Sequence, residues 1–311
     1  MPGDPPVEEP TPEPEPQPTP EPTPEPTTLV TSIPVETPTE TSVITSPSPS
    51  PINKCPVVLD GRIPVGTAAT VLDTNNKYFN PDYVKGNNLK WSDIIKLPSV
   101  PQSRFDAAVG AQALEVTISD KSIFMQQNGF RRAGLQFNGD SSDDASSKGV
   151  KTIHFSVRVD ATRALNLTHE YLNVWHETAD YSANQFNFQT GTIIGKSSSD
   201  RNNWKVLNRN NQLVWSTPMV ADTWQNFAIT LDFSKNTFQV YYSAGNDPLK
   251  SVTSSLSNNL AGNGQYQIGV LKKPTGTSDV VNSGYQQRNL NEGVIYGGLF
   301  VEDSAGGCVS L

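Results

Sequence analysis

The segment His169-Glu170-Tyr171-Leu172-Asn173-Val174-Trp175-His176-Glu177-Thr178 gathers the densest set of chemically able side chains in this sequence. An extended strand sends alternate side chains to opposite faces. His169, Tyr171, Asn173, Trp175 and Glu177 then share one face, and Leu172, Val174 and His176 share the other. Aromatic rings beside an amide, an imidazole and a carboxylate are the mixture a sugar site uses. Rings stack on the apolar faces of a pyranose, while amides and carboxylates bind its hydroxyls. Hydrolysis of a glycosidic bond takes two carboxyl groups, one as acid and the other as base or nucleophile. Glu177 is the candidate acid, because partial burial against Trp175 raises a carboxyl pKa as proton donation requires.

The elements that must hold such a face read as strands. Leu114 to Ser119, Arg131 to Phe137, Lys151 to Asp160, His169 to Thr178, Asn184 to Ile193, Gln225 to Phe233, Thr237 to Tyr242, Gln265 to Leu271 and Gly293 to Glu302 alternate or are β-rich. Phe227, Ile229, Leu231 and Phe233, a Ser234-Lys235-Asn236 turn, then Phe238, Val240 and Tyr242 predict a hairpin. Sorting by parity leaves Ala133, Leu135 and Phe137 inward, with Arg132, Gly134 and Gln136 on the polar side. Gln185, Asn187 and Gln189 oppose Phe186 and Phe188 in the same way. Evenly spaced strands with one dry and one amide-rich face predict an all-β domain, a jelly roll or similar two-sheet antiparallel sandwich. Residues 56 to 110, broken by Pro64, Pro81, Pro98 and Pro101, read as loops and edge strands.

The net charge of −8 is unevenly placed. Residues 1–53 carry nine carboxylates and no Lys or Arg, in runs such as Thr19-Pro20-Glu21-Pro22-Thr23-Pro24-Glu25-Pro26. That composition predicts an extended, disordered linker, and the domain is expected over 54–311. The domain is nearly neutral, so no cationic face is available for nucleic acid, and neutral substrates fit better. No apolar run is long enough for a bilayer, and no apolar secretory core follows Met1. Export is nonetheless expected from the Thr/Pro stalk, the Asn166-Leu167-Thr168 glycosylation acceptor and the two cysteines, Cys55 and Cys308, at the ends of the domain. A bridge between them would tie those ends together. No metal or cofactor motif is present, Gly191 to Ser197 being one residue short of a phosphate loop. A monomer without cofactor is expected.

Longer stretches carry a resemblance. Phe130-Arg131-Arg132-Ala133, Gly149-Val150-Lys151-Thr152-Ile153-His154-Phe155-Ser156, His169 to Glu177, Leu271-Lys272-Lys273-Pro274-Thr275-Gly276-Thr277, Cys55 to Arg62 and Gly306 to Leu311 are similar to glycoside hydrolase family 131 of fungi. The resemblance implies a β-jelly roll, an extracellular role in cell-wall breakdown, and activity on β-1,3-, β-1,6- and β-1,4-linked glucans. It also implies two glutamates in a concave cleft with a histidine nearby. One glutamate falls on Glu177 and the histidine on His169. The other belongs directly after Arg131-Arg132-Ala133, where this sequence has Gly134. Sugar contacts are expected from Arg132, Gln136, Tyr171, Asn173 and Trp175. Three readings follow: a β-glucanase that recruits another carboxylate such as Glu170 or Asp180, a β-glucan-binding protein with impaired catalysis, or a polysaccharide lyase, which would need a cationic cleft.

Overall fold

The computed structural model describes residues 55–311, so the linker expected over 1–53 lies outside the described residues. Alternation becomes strand along most of the domain. In chain order the strands are β1 Val57–Asp60, β2 Ile95–Lys96, β3 Leu114–Ser119, β4 Arg131–Leu135, β5 Val150–Val159, β6 Glu170–Glu177, β7 Asn184–Gly191 and β8 Asn203–Asn208. They continue as β9 Leu213–Pro218, β10 Gln225–Asp232, β11 Thr237–Ala244, β12 Lys250–Ser251, β13 Leu256–Ser257, β14 Gln265–Lys272 and β15 Asn291–Asp303.

Two antiparallel sheets result, as the sequence predicts for a jelly-roll sandwich. One runs β12-β11-β10-β5-β15-β3-β2, with β1 on β15 and β13 on β11, and the other runs β4-β14-β6-β7-β8-β9. Sequence-distant strands lie side by side, so the polar face of the smaller sheet draws on segments more than a hundred residues apart. Between the sheets, Ile153, Phe155, Val157, Phe227, Ile229 and Leu231 meet Ala133, Leu135, Val174, Phe186, Phe188 and Ile268 in one core. Burying both inner faces is what obliges each strand to turn its polar residues outward.

The predicted hairpin forms in the expected register, Phe227 opposite Tyr242, Ile229 opposite Val240 and Leu231 opposite Phe238. Asn236 in its turn has φ 54°, a conformation asparagine tolerates. Strands β8 and β9 were not predicted. Asn203, Lys205 and Asn208 dilute the apolar pattern there, yet Trp204 and Val206 bury fully against the core. Cys55 and Cys308 are joined by a disulfide across 253 residues. Among the described residues no helix is long and apolar enough to cross a membrane.

His176 points into this core against Tyr266 and Phe233. Its Nδ1 donates to Gln185 Oε1, and its Nε2 has no partner among the described residues. Burial pushes its pKa down to about 4, against the Gln185 hydrogen bond and distant Asp144. The unfolded chain therefore takes a proton near pH 6.5 that the folded chain refuses until about pH 4. Stability is unaffected by this group above pH 6.5 and falls by roughly 3 kcal/mol as the pH drops through that window. Urea midpoints at pH 7.5, 6.5, 5 and 4 should show the decline in the wild type. They should show a shallower one in His176→Asn, which keeps a donor for Gln185; equal declines would contradict the assignment.

Candidate active site

The polar face of the smaller sheet is assembled strand by strand. Arg132 and Gly134 come from β4 and Gln136 from just past its end, as parity predicts, because Ala133, Leu135 and Phe137 are committed to the core. Gln265, Gln267 and Leu271 come from β14, where Tyr266, Ile268 and Val270 point inward. On β6 the alternation does not run through unbroken. Its register on β7 shifts between Leu172 and Val174, and its register on β14 shifts between Ile268 and Leu271. The bulge resets the phase, so Tyr171 and Val174 both belong to the core while Leu172 joins Trp175 on the cleft side.

That bulge corrects two predicted sugar contacts. Tyr171 is fully buried between the sheets, its hydroxyl donating to Glu292 Oε2 at 2.8 Å, and Glu292 also pairs with Lys272 at 2.7 Å. Asn173 sits on the bulge, with Nδ2 donating to Gly269 O and Tyr296 Oη. Neither side chain faces the cleft. His169 is not brought to Glu177 either. Eight residues of extended chain separate them, about 25 Å, and His169 Nδ1 instead donates to Lys273 O at 2.8 Å. Gln136 reaches the floor, its amide donating to Gln265 Oε1 and Asp140 O, both at 2.8 Å.

The structure does bring Arg132, Trp175 and Glu177 together. With Asp82, Tyr83, Lys85, Phe124, Phe130, Tyr181, Asn184 and others they line a cleft of about 720 Å³. Trp175 is only 3% exposed and packs on Leu172, Leu271 and Phe130, so it serves as the cleft's apolar wall. The open aromatic surface comes from Tyr83, at the end of a 3-10 turn over Pro81–Tyr83, and from Phe124 and Tyr181 on loops, all outside the strands that parity can sort. Tyr181 is 61% exposed.

Backbone strain marks the same place. Nine non-glycine residues among those described have positive φ, and six are Asn or Asp, which adopt it readily. The other three are Lys85 (φ 58°), Met125 (φ 53°) and Tyr181 (φ 59°), and all three line this cleft. Each costs roughly 1–2 kcal/mol, and such strain persists where the side chain is needed in position. Tyr181→Asn is therefore expected to stabilise the fold by about 1 kcal/mol while weakening binding of a cleft ligand about tenfold. Thermal unfolding and ligand titration of the same variant check both; destabilisation, or unchanged binding, would go against a functional origin of the strain.

The charges are arranged unevenly. Burial raises the pKa of Glu177, opposed by the nearby guanidinium of Arg132 and ammonium of Lys85. Burial lowers Lys85 to about 8, with Arg132 adding to the fall and Glu177 opposing it. Lys85 Nζ lies 4.1 Å from the Tyr83 ring centroid and 4.9 Å from that of Phe124, and Arg132 stacks on Phe124 at 5.8 Å. The two alternative carboxylates are occupied elsewhere. Glu170 is paired with Lys273 at 2.6 Å and accepts from Ile194 N. Asp180 is held by Thr178 and Ser182, which pull its pKa down to about 2. Glu177 is therefore the half-buried carboxylate of the cleft, with Asp82 exposed at its rim.

Gly134 lies beneath the Lys85 stem. A Cβ there would be 3.7 Å from Lys85 Cγ and 4.0 Å from Gln267 Oε1, ordinary contacts. Gln267 is one same-face step along β14 from Gln265, which pairs with Glu177. Gly134 and Glu177 thus flank β14 from opposite sides, on the face that carries Gln265 and Gln267.

Comparison with known proteins agrees with this architecture. No curated protein matches the chain. Among solved structures it is similar to the catalytic domain of a GH131 β-glucanase from Podospora anserina, at 21% identity over 82% of this chain and 97% of that one, TM-score 0.66. It is also similar to the catalytic domain of the family 131 protein from Coprinopsis cinerea, at 22% identity over 82% and 96%, TM-score 0.63. Those likenesses show the fold. The model of the glycoside hydrolase 131 catalytic N-terminal domain matches residues 57–307, nearly the whole described region, and the chain therefore belongs to glycoside hydrolase family 131.

Proposed function

We propose that the cleft binds β-glucan, with Glu177 as the proton-donating acid of a family 131 hydrolase site whose turnover is limited at Gly134. The observation that carries this is Glu177 itself. It is a carboxyl held above its ordinary pKa by burial, in a cleft walled by Trp175 and Phe130 and edged by Tyr83 and Tyr181. A raised carboxyl pKa favours proton donation to a departing leaving group. Arg132, Gln136, Gln265 and Gln267 supply donors and acceptors for sugar hydroxyls, and Tyr83 and Tyr181 supply the stacking surface.

Hydrolysis also needs a second carboxylate to attack the anomeric carbon or activate water. Glycine cannot do either. Binding without efficient cleavage is the reading favoured by that residue, on β-1,3-, β-1,6- or β-1,4-linked chains as the family implies. The test is affinity electrophoresis through gels containing laminarin or a soluble cellulose derivative, beside a reducing-sugar assay. Retardation with little sugar release is expected for the wild type; free migration in every gel would reject the reading. Action outside the cell, as a monomer N-glycosylated at Asn166, belongs to the same proposal. In support, Asn166 is partly accessible in the structure and the domain is disulfide-bonded.

A further inference from the structure

Lys85 stands over the Tyr83 and Phe124 rings and Arg132 over Phe124, with no carboxylate within ion-pair distance of either among the described residues. The Arg132 guanidinium has one hydrogen bond among the described residues, to Gln127 Oε1 at 3.2 Å. Two like charges close enough to perturb each other are unfavourable unless an anion joins them. Beneath the Lys85 stem, above Gly134, the floor is also unsatisfied. Gln267 is 1% exposed, and among the described residues neither its Oε1 nor its Nε2 has a hydrogen-bond partner. Gln265 Nε2 and Gln136 Oε1, both buried, lack partners as well. Buried amides without partners are uncommon in native structures, and each costs free energy until something bonds to it.

The two cations line the cleft, and the unpartnered amides lie under it beside Gly134, a buried position that the Lys85 stem covers; together they have a definite chemistry. We infer that this part of the cleft receives a carboxylate carried by the ligand, a sugar unit oxidised to a uronic or aldonic acid. Lys85 and Arg132 supply the charge, and Gln267 Nε2 a hydrogen bond from below. A neutral glucosyl unit would satisfy the amides and leave the two cations with only the Glu177 carboxylate, beyond ion-pair distance, acting on both among the described residues. An acidic unit satisfies all of them, and charge-assisted hydrogen bonds of this kind are about twice as strong as neutral ones. Family 131 chains with glutamate after the Arg-Arg-Ala run would, by the resemblance, supply that carboxylate from the protein. Here it must come from outside. This inference rests on reading the concave face as a glycan site, and its test separates the two.

Calorimetric titration with a cello-oligosaccharide, the same oligomer oxidised to the aldonic acid at its reducing end, one oxidised to glucuronic acid at C6, and sodium acetate alone supplies the arms. An oxidised oligomer should bind at least about tenfold tighter than the neutral one, with the advantage shrinking as salt is raised. Lys85→Gln should remove the advantage, so that the oxidised and neutral oligomers bind the variant with equal affinity. Gly134→Glu, which brings its own carboxylate, should remove it too. Acetate that binds and competes, with no advantage for oxidised sugar, would make this part of the cleft a receptor for a free small acid. Equal affinity of neutral and oxidised oligomers together with no acetate binding overturns the inference and leaves the glucan reading standing. Binding of oxidised oligomers alone would do the reverse.

Discussion

Gly134→Glu is expected to raise β-glucan hydrolysis about a thousandfold over the wild-type chain, because it supplies the second carboxyl group that glycosidic cleavage requires. A Cβ at residue 134 meets only ordinary contacts, 3.7 Å to Lys85 Cγ and 3.8 Å to Ile268 O. The substitution also places an anion beside Lys85 and Arg132, so the variant should be at least as stable as the wild type. Glu177→Gln on the Gly134→Glu background should return activity to the wild-type level. If each glutamate needs the other, the two effects will be strongly non-additive. Reducing sugar released from laminarin and cello-oligosaccharides by wild type, single variants and the double variant measures this. A Gly134→Glu chain that folds, binds glucan and still releases no more sugar than the wild type would show that residue 134 is not the limiting position.

The second large effect is on stability. Replacing Cys55 and Cys308 together by serine should lower the unfolding free energy by about 5 kcal/mol, the chain-entropy value for so long a loop before any native-state strain is subtracted. The bridge ties the segment leading into β1 to the residues following β15, and β1 pairs with β15 along the sheet edge. Without the bridge this edge is held by a four-residue strand. Fraying should start there, and hydrogen exchange of the β1 amides should accelerate before that of β6 and β14. Urea unfolding with a midpoint unchanged from the oxidised wild type would contradict this account.

Strand parity recovered the parts of the site that sit on uninterrupted strands and failed where register shifts. Arg132 and Gln136 were legible because Ala133, Leu135 and Phe137 fix the phase of β4 without help from its neighbours. On β6 the phase changes at Asn173, and only the partners reveal it, since β7 and β14 decide where the extra residue is accommodated. Tyr171 and Asn173 therefore read as cleft residues while being built into the interior. Leu172 and Tyr171 exchange sides for the same reason. Lys85, Phe124 and Tyr181 were illegible for another cause. Loops carry no periodicity, and their meeting over one sheet is settled by the strand order β4-β14-β6, which no local pattern states. Gly134 itself carried meaning only through the family resemblance, and the structure adds that Lys85 lies over it.

The central claim is that the amide-floored cleft of the six-stranded sheet is a β-glucan site. Calorimetric titration of the wild-type chain with laminarihexaose and cellohexaose tests it most directly, with Tyr181→Ala and Glu177→Gln alongside, since neither change disturbs the inter-sheet core. Saturable binding to at least one hexaose, weakened about tenfold by Tyr181→Ala and altered by Glu177→Gln, is the predicted result. Folded protein that shows no heat with either sugar, or binds equally well in both variants, would contradict it.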